Sequence, residues 1–338
     1  MTVRQRLLIW AASVAVVLAA AAFAWRSQTS YAIWIELPPV SLPMPQPRRV
    51  FIPGEDGVAP LLVVVENTPE ARPQSGLSDA CLVYAMPTEA RITRFLAAFC
   101  DAAPEAIGPV RSVRRYMLDI ATDMGAILVH AGYSAEALSH IRNRRIPVMN
   151  EFWTPEPFWR DGTRQMPHNL YTRADRLRAA LQKKPLDVRP RGLPYTFGGP
   201  TSGGAPAPTV TLDYGPLYTV RYRYHAGRRR YMREQDGGPH LDAGGKQIAP
   251  TSVLVLFVRW WEVQEQGGPS SKIDLTGSGR LVIVAGGRLT EGTWTRSAVG
   301  PLTLRGAGGG RVVLPRGPVW IELFPLDRLF SVEAEPPK

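Results

Sequence analysis

Asp161, Arg164, His168, Asn169 and Tyr171 bring an imidazole, a carboxylate and groups that bind negative charge into one short segment of the chain. Imidazole titrates near neutrality and serves as general acid, general base or metal ligand. A neighbouring carboxylate fixes its tautomer, and an Asn or Arg stabilises charge that develops on a substrate. His130 closes the apolar run from Ala126 to Val129, and ligands gather at strand ends in α/β architectures. Convergence of His130, His168 and Asp161 with Arg111 would build a pocket for an anionic substrate, with the histidines and Asp161 as candidate catalytic groups. The alternative is a set of loop-fixing hydrogen bonds beneath an aromatic cover.

A second group stands at Arg111, Arg114 and Arg115. The apolar positions Val113, Met117, Ile120, Ala121 and Met124 recur at helical spacing and indicate a helix over 110–124. The three arginines then occupy its start and share one side. The macrodipole disfavours cations there by ~0.3–1 kcal/mol each. Free backbone N–H groups at the same place bind phosphate or carboxylate. A bound anion would account for the arrangement, and so would internal pairing with Glu89, Asp101, Glu105 or Asp161, with Arg115–Asp119 as an i,i+4 pair.

Other chemistry is weakly marked. There is no H-E-x-x-H and no Cys-x-x-Cys, so neither a dedicated metal site nor a cofactor is expected. Gly132-Tyr133-Ser134-Ala135-Glu136 resembles a nucleophile elbow except that Glu136 replaces the second glycine; Ser134 reads better as a helix N-cap. Gly277-Ser278-Gly279 lacks the strand–helix setting of a dinucleotide loop. Trp260, Trp261 and Trp294 suit either sugar stacking or packing on strands. The net charge of +11 fits an anionic partner. No run of five or six basic residues and no nucleic-acid motif occurs, so nucleic acid is not an expected partner. The clusters Arg142/Arg144/Arg145 and Arg228/Arg229/Arg230 read as solvated surface.

These side chains must be held by a fold rich in turns, since the 338 residues include 31 Gly and 32 Pro. At the N-terminus, Arg4 and Arg6 precede an apolar stretch from Leu7 to Trp25 that is close to the ~20 residues needed to cross a bilayer. Residues 1–26 are therefore expected to be a membrane anchor or, given Ala22-Phe23-Ala24, a cleaved signal peptide. Basic residues before the stretch orient the remainder outside the cell. Residues 27–59 read as a Pro-rich stalk.

Strands alternate with helices over 60–190, giving an α/β or α+β N-terminal domain. Its elements are a strand at 60–67, a hairpin turning at Thr88–Arg91, the 110–124 helix, a strand at 126–130 and a helix from Ala135. A last helix is announced by Thr172 and Asp175 at capping-box spacing. Residues 191–208 read as a Gly/Pro linker. A smaller, mostly antiparallel β domain follows over 209–326, opened by Tyr218, Val220, Tyr222 and Tyr224 alternating with a basic face; 327–338 is a tail. The two cysteines, Cys81 and Cys100, flank the hairpin turn almost symmetrically, so they are candidates for a disulfide or for two small buried apolar groups.

Several stretches together resemble the YerB-like lipoproteins, a family defined by domains of unknown function. They include Asn67-Thr68-Pro69-Glu70-Ala71-Arg72-Pro73-Gln74-Ser75-Gly76-Leu77, Glu89 with Ile92-Thr93-Arg94-Phe95, and Ile107-Gly108-Pro109-Val110-Arg111-Ser112-Val113-Arg114. His130-Ala131-Gly132, Arg160 to Arg164 with Pro167 to Thr172, and Gln235-Asp236-Gly237-Gly238-Pro239-His240 continue the match, as do Gly277-Ser278-Gly279 and Gly292-Thr293-Trp294. The resemblance spans about 60–325 and implies two domains and a membrane-attached, extracytoplasmic life, without implying a reaction. It adds Glu89 and Arg94 to Arg111, Arg114, Arg115, Arg164 and Asn169 as ligand-binding candidates. This chain departs from the family pattern in having no cysteine before Cys81, Ala90-Arg91 in place of a usual Gly pair, and Tyr133 in place of a Gly. The expected partners are the cell membrane through residues 7–25, an anionic envelope ligand or wall polymer, and a protein partner. The expected role is binding or scaffolding, with an envelope hydrolase or transferase as the alternative.

Overall fold

Strand β1 (Leu61–Glu66) sends Leu62 and Val64 into one apolar cluster and Leu61, Val63 and Val65 into another. A pleated strand alternates its side chains between two faces, so an uninterrupted apolar strand demands a packed layer on each side. The computed structural model describes residues 59–99, 104–199 and 203–333. Ten strands form the path of its principal sheet. They are β1, β2 (Leu82–Pro87), β3 (Thr93–Ala98), β4 (Ile127–His130), β5 (Val148–Asn150), β6 (Ser252–Glu265), β7 (Gly277–Ala285), β8 (Arg288–Arg296), β9 (Thr303–Gly306) and β10 (Val319–Pro325). Their order is β9-β8-β7-β6-β10-β2-β3-β1-β4-β5.

One face carries helix α1 (Arg115–Met124), which buries Met117, Ile120, Ala121 and Met124, and Ala137 and Ile141 of α2 (Ala135–Arg144). The other face receives α3 (Ala174–Lys183) through Ala174 and Leu177, and a second, five-stranded sheet through Val210, Leu212, Val220 and Tyr222. Burying a side chain such as Leu177 contributes on the order of 1.5–3 kcal/mol, so a few such contacts hold a ten-residue helix. Ser134 caps α2 by accepting the Ala137 N–H at 3.3 Å, which explains Ser134 without a catalytic role. At the end of α1, Gly125 has φ +58°, and a Cβ there would lie 2.0 Å from the Arg189 carbonyl oxygen, so the residue has to be glycine.

One expectation is corrected here, and another falls outside the described residues. The fold class is mostly β: only three α-helices occur among the described residues, and an N-terminal α/β or α+β unit beside a separate β unit does not describe the sheet. Strand β2 pairs in parallel with β10, matching Leu82 to Val319 and Ala85 to Glu322, so both halves of the chain build one sheet. The physical reason is that the β2–β3 hairpin is buried along both faces and both edges, and its free edge is completed by a strand some 240 positions later, which local periodicity cannot reveal. The expected membrane-crossing helix at 7–25 lies outside the described residues, and no helix among the described residues is long and apolar enough to cross a membrane.

Several local readings differ in detail. Residues 110–114 are extended, and the helix begins at Arg115. Thr172 belongs to a short strand (Leu170–Thr172) and its hydroxyl donates to Pro157 O at 3.1 Å, so no capping box forms with Asp175. In the span read as a linker, Leu193, Tyr195 and Ala207 are buried. Phe330–Glu333, in the span read as a tail, pairs with Thr209–Asp213. Cys81 leads into β2, its N–H donating to Ala98 O at 3.0 Å; Cys100 and Asp101 lie outside the described residues.

Candidate functional site

Residues 107–114 run across the carboxyl ends of β1 and β4. Glu66 N–H donates to Pro109 O (2.9 Å), Arg111 N–H to Val64 O (3.0 Å), Ala131 N–H to Arg111 O (3.0 Å) and Val113 N–H to Gly132 O (3.1 Å). These bonds hold the segment extended, which is why Arg111 and Arg114 precede the helix instead of occupying its first turn. The anion-binding helix start expected there is therefore not formed; Arg115 alone stands in the first turn, and it pairs with Asp119.

Glu66 is buried and organises the first centre. Its carboxylate lies 3.0 Å from His168 Nδ1 and 3.1 Å from Arg111 Nε, and accepts the Thr68 hydroxyl at 3.1 Å. The Arg111 contact is an ion pair without hydrogen-bond alignment. Arg94 lies directly opposite Glu66 in the β1–β3 register. Its guanidinium donates to Ser112 O at 3.0 Å, while Nε has no hydrogen-bond partner among the described residues. Burial, with the neighbouring charge of Arg114, pushes Arg94 down to about 10. Arg114 forks onto Glu89 at 2.5 and 2.7 Å, and Glu89 also accepts the Ser271 N–H at 2.7 Å. Burial works against ionisation of Glu89, but Arg114 outweighs it and holds the carboxyl below its usual range. Arg94, Arg111 and Arg114 thus gather around two carboxylates.

His130 forms a second centre. Its ring is fully buried, and Nδ1 lies 2.8 Å from Gly132 O. A carbonyl only accepts, so Nδ1 carries the proton and Nε2 is a bare acceptor with no partner among the described residues. Burial pushes this histidine down to about 4. Asn150, adjacent in the β4–β5 register, accepts the Gly132 and Phe152 N–H groups at 3.4 and 3.3 Å, and its amide nitrogen is also unpartnered among the described residues. Tyr133 packs against Phe152 and Trp153, which are 63% and 45% exposed.

The remaining predicted site residues do not join these centres. Asp161 closes a turn on itself, accepting from Thr163 N and Oγ1 at 2.8 and 2.7 Å. Arg164 donates to the carbonyls of Ala71 and Pro73 at 3.0 and 2.8 Å. Asn169 ties Arg160 to the carbonyls of Asp161 and Arg164. All three fix loops. Arg115 faces Asp119 and cavities of 350 and 200 Å³ that neither His130 nor His168 lines. Among the described residues no cluster of His, Cys, Asp or Glu is placed to hold a metal ion. Sequence reasoning missed Glu66, Ser112 and Asn150; a lone carboxylate ending an otherwise apolar strand was the available signal for Glu66.

Residues 53–188 match the N-terminal domain, and residues 210–321 the C-terminal domain, of the protein of unknown function DUF3048. The "Putative lipoprotein YerB" of Bacillus subtilis (strain 168) is 31% identical over 274 residues, covering 79% of this chain and 78% of that protein. The chain belongs to the YerB-like DUF3048 family. The crystal structure of YerB protein from Bacillus subtilis superposes with a TM-score of 0.71 at 30% identity, covering 85% of this chain and 96% of the other.

One departure from the family pattern acquires a physical meaning. Ala90 and Arg91, where the family resemblance calls for a Gly pair, both take left-handed backbone, with φ of 55° and 60°. An L-residue pays ~1–2 kcal/mol for that region. Ala90→Gly is therefore expected to raise the unfolding free energy by about 0.5–1 kcal/mol, part of the relief being offset by a freer unfolded chain. Urea denaturation of the two proteins checks this.

Proposed function

We propose that the protein is an extracytoplasmic, membrane-associated binding protein of the cell envelope that recognises an anionic ligand or wall polymer. The setting is supported by its likeness to a protein named a lipoprotein. The observation that carries the binding role is the buried Arg94, held to Ser112 O beside Arg111 and Arg114, with Nε unengaged. A guanidinium donor held out of water without an acceptor costs free energy, and an incoming oxyanion would supply that acceptor. Arg111 and Arg114 are already balanced by Glu66 and Glu89, so they shape the site while Arg94 provides the unbalanced charge.

The test is retention of the protein on isolated wall sacculi, with soluble fragments read by mass spectrometry. Wild-type protein is expected to bind without releasing fragments. Arg94→Gln is expected to weaken retention about tenfold or more, the loss of one charge-assisted contact of ~1.5–3 kcal/mol. Equal retention of the two proteins would refute the role given to Arg94. The second reading, an envelope hydrolase or transferase, rests on the Glu66–His168 pair, a carboxylate-oriented imidazole of the kind that serves general acid–base chemistry. Released fragments that vanish with His168→Ala would establish it and end the binding reading.

A further inference from the structure

The cluster Arg228/Arg229/Arg230, a solvated patch on sequence grounds, sits at the tip of a hairpin between the strands Thr219–His225 and Arg230–Gln235. The tip folds over a cavity of 480 Å³ to which Arg316 contributes from the far end of the chain. Four arginines, of which Arg228, Arg229 and Arg316 are exposed, therefore line one space whose other walls are Tyr224, Thr251, Pro315 and glycines, with no carboxylate among the lining residues. On the neighbouring strands, by contrast, Arg221 and Arg223 face Glu234, and Arg280 faces Glu291. None of the four cavity arginines has an ion-pair partner among the described residues, and burial pushes the half-buried Arg230 guanidinium below its usual range, with no anion opposing it.

The cavity is also built, in the sense that its basic wall is held in place. His225 Nδ1 accepts the Arg228 N–H at 3.2 Å, and Arg229 takes left-handed backbone with φ 52°, which turns the chain sharply. Arg230 is pinned by donating to Ala249 O at 3.0 Å. Tyr224 is wedged between Tyr231, 5.0 Å away between ring centroids, and Gly287, where a Cβ would approach the tyrosine ring to 2.8 Å. Four cations around one concave space focus a positive potential there, which draws in an anion. The planar guanidinium fork matches phosphoryl oxygens two at a time.

We propose that the cavity formed by Arg228, Arg229, Arg230 and Arg316 binds an anionic phosphoryl group, either free or displayed as a lipid headgroup. This site lies in the C-terminal half and is separate from the Arg94 site.

The test uses the full chain and the variant R228Q/R229Q/R316Q, which keeps Arg230 and its structural bond. Calorimetric titration with sodium pyrophosphate at low salt is one arm. Co-sedimentation with phosphatidylglycerol against phosphatidylcholine vesicles is the other. Pyrophosphate binding that weakens about tenfold or more in the variant, and falls with added salt, supports a free phosphoryl ligand. A preference for phosphatidylglycerol that disappears in the variant, without pyrophosphate binding, supports a headgroup. Binding that is absent in both arms, or unchanged in the variant, overturns the proposal. Arg94→Gln is expected to leave both signals intact, so failure of this site and failure of the Arg94 site are read separately.

Discussion

Arg233→Met is expected to destabilise the folded protein by about 3–5 kcal/mol, the cost of breaking a buried ion pair from one side. Arg233 and Glu322 are 1% and 0% exposed, and the guanidinium lies 4.0 Å from the carboxylate. Arg233 donates to Tyr222 Oη at 3.1 Å, to Gln235 at 2.9 Å and to His240 Nδ1, and its plane sits 4.6 Å from the centre of the Trp320 ring. Glu322 accepts the hydroxyls of Tyr214 (2.7 Å) and Tyr222. Removing the cation leaves that carboxylate buried against two phenols. Burial, followed by the adjacent Glu322 charge, raises both tyrosines well above their ordinary range, so they remain donors.

The pair also ties the halves of the chain together. His240 Nε2 lies 2.9 Å from Gln74 Oε1, and Gln74 in turn donates to Glu66 O at 3.0 Å and Asn67 Oδ1 at 2.8 Å. The charge explanation has a direct control. Arg233→Met with Glu322→Gln removes both ions, and most of the stability lost by the single change is expected to return. Guanidinium unfolding of the three proteins decides it: equal losses in the single and double variants would mean that packing around Trp320, not charge, carries the effect.

The second large effect concerns acid. Lowering the pH from 7 to 4 is expected to remove about 3 kcal/mol of stability through His130 alone. An exposed histidine takes up its proton near 6.5, whereas burial pushes His130 down to about 4. Between those values the unfolded chain binds a proton that the folded chain does not, so stability falls as the pH drops through the window. Below about 4 both states are protonated and this contribution is exhausted. His240, lowered well below its usual range by burial and then by Arg233, acts in the same direction. His130→Asn keeps a donor near Gly132 O and cannot titrate. Its stability is expected to fall less steeply than wild type over this window in urea titrations at stepped pH, and an identical slope would assign the acid sensitivity to other groups.

Many local elements were legible from residue types alone. The hairpin around Thr88–Arg91, the strand ending at His130, the Ser134 cap, and the alternation of Val220 and Tyr222 with Arg221 and Arg223 all follow from short-range patterns. Such patterns report what one turn or one pleat can bury, and that is a property of a few neighbouring residues. The Arg111–Arg115 group was legible as a concentration of charge but not as a geometry. Val110 and Val113 fit a helical stripe equally well, and only hydrogen bonds to Val64 and Gly132 draw 110–114 into extended backbone.

Residue types and spacing were enough for the family, the strand-rich second half, the turn residues and the concentrations of arginine. Tertiary structure alone decided that β2 pairs with β10, that Glu66 gathers His168 and Arg111 while Asp161 turns away, and that Arg233 and Glu322 meet in the core. It also decided that Arg316 joins Arg228, Arg229 and Arg230 around one cavity. Each of these depends on chain segments brought together from far apart, and the energies that select them, burial and charge pairing in a dry interior, act on neighbours in space.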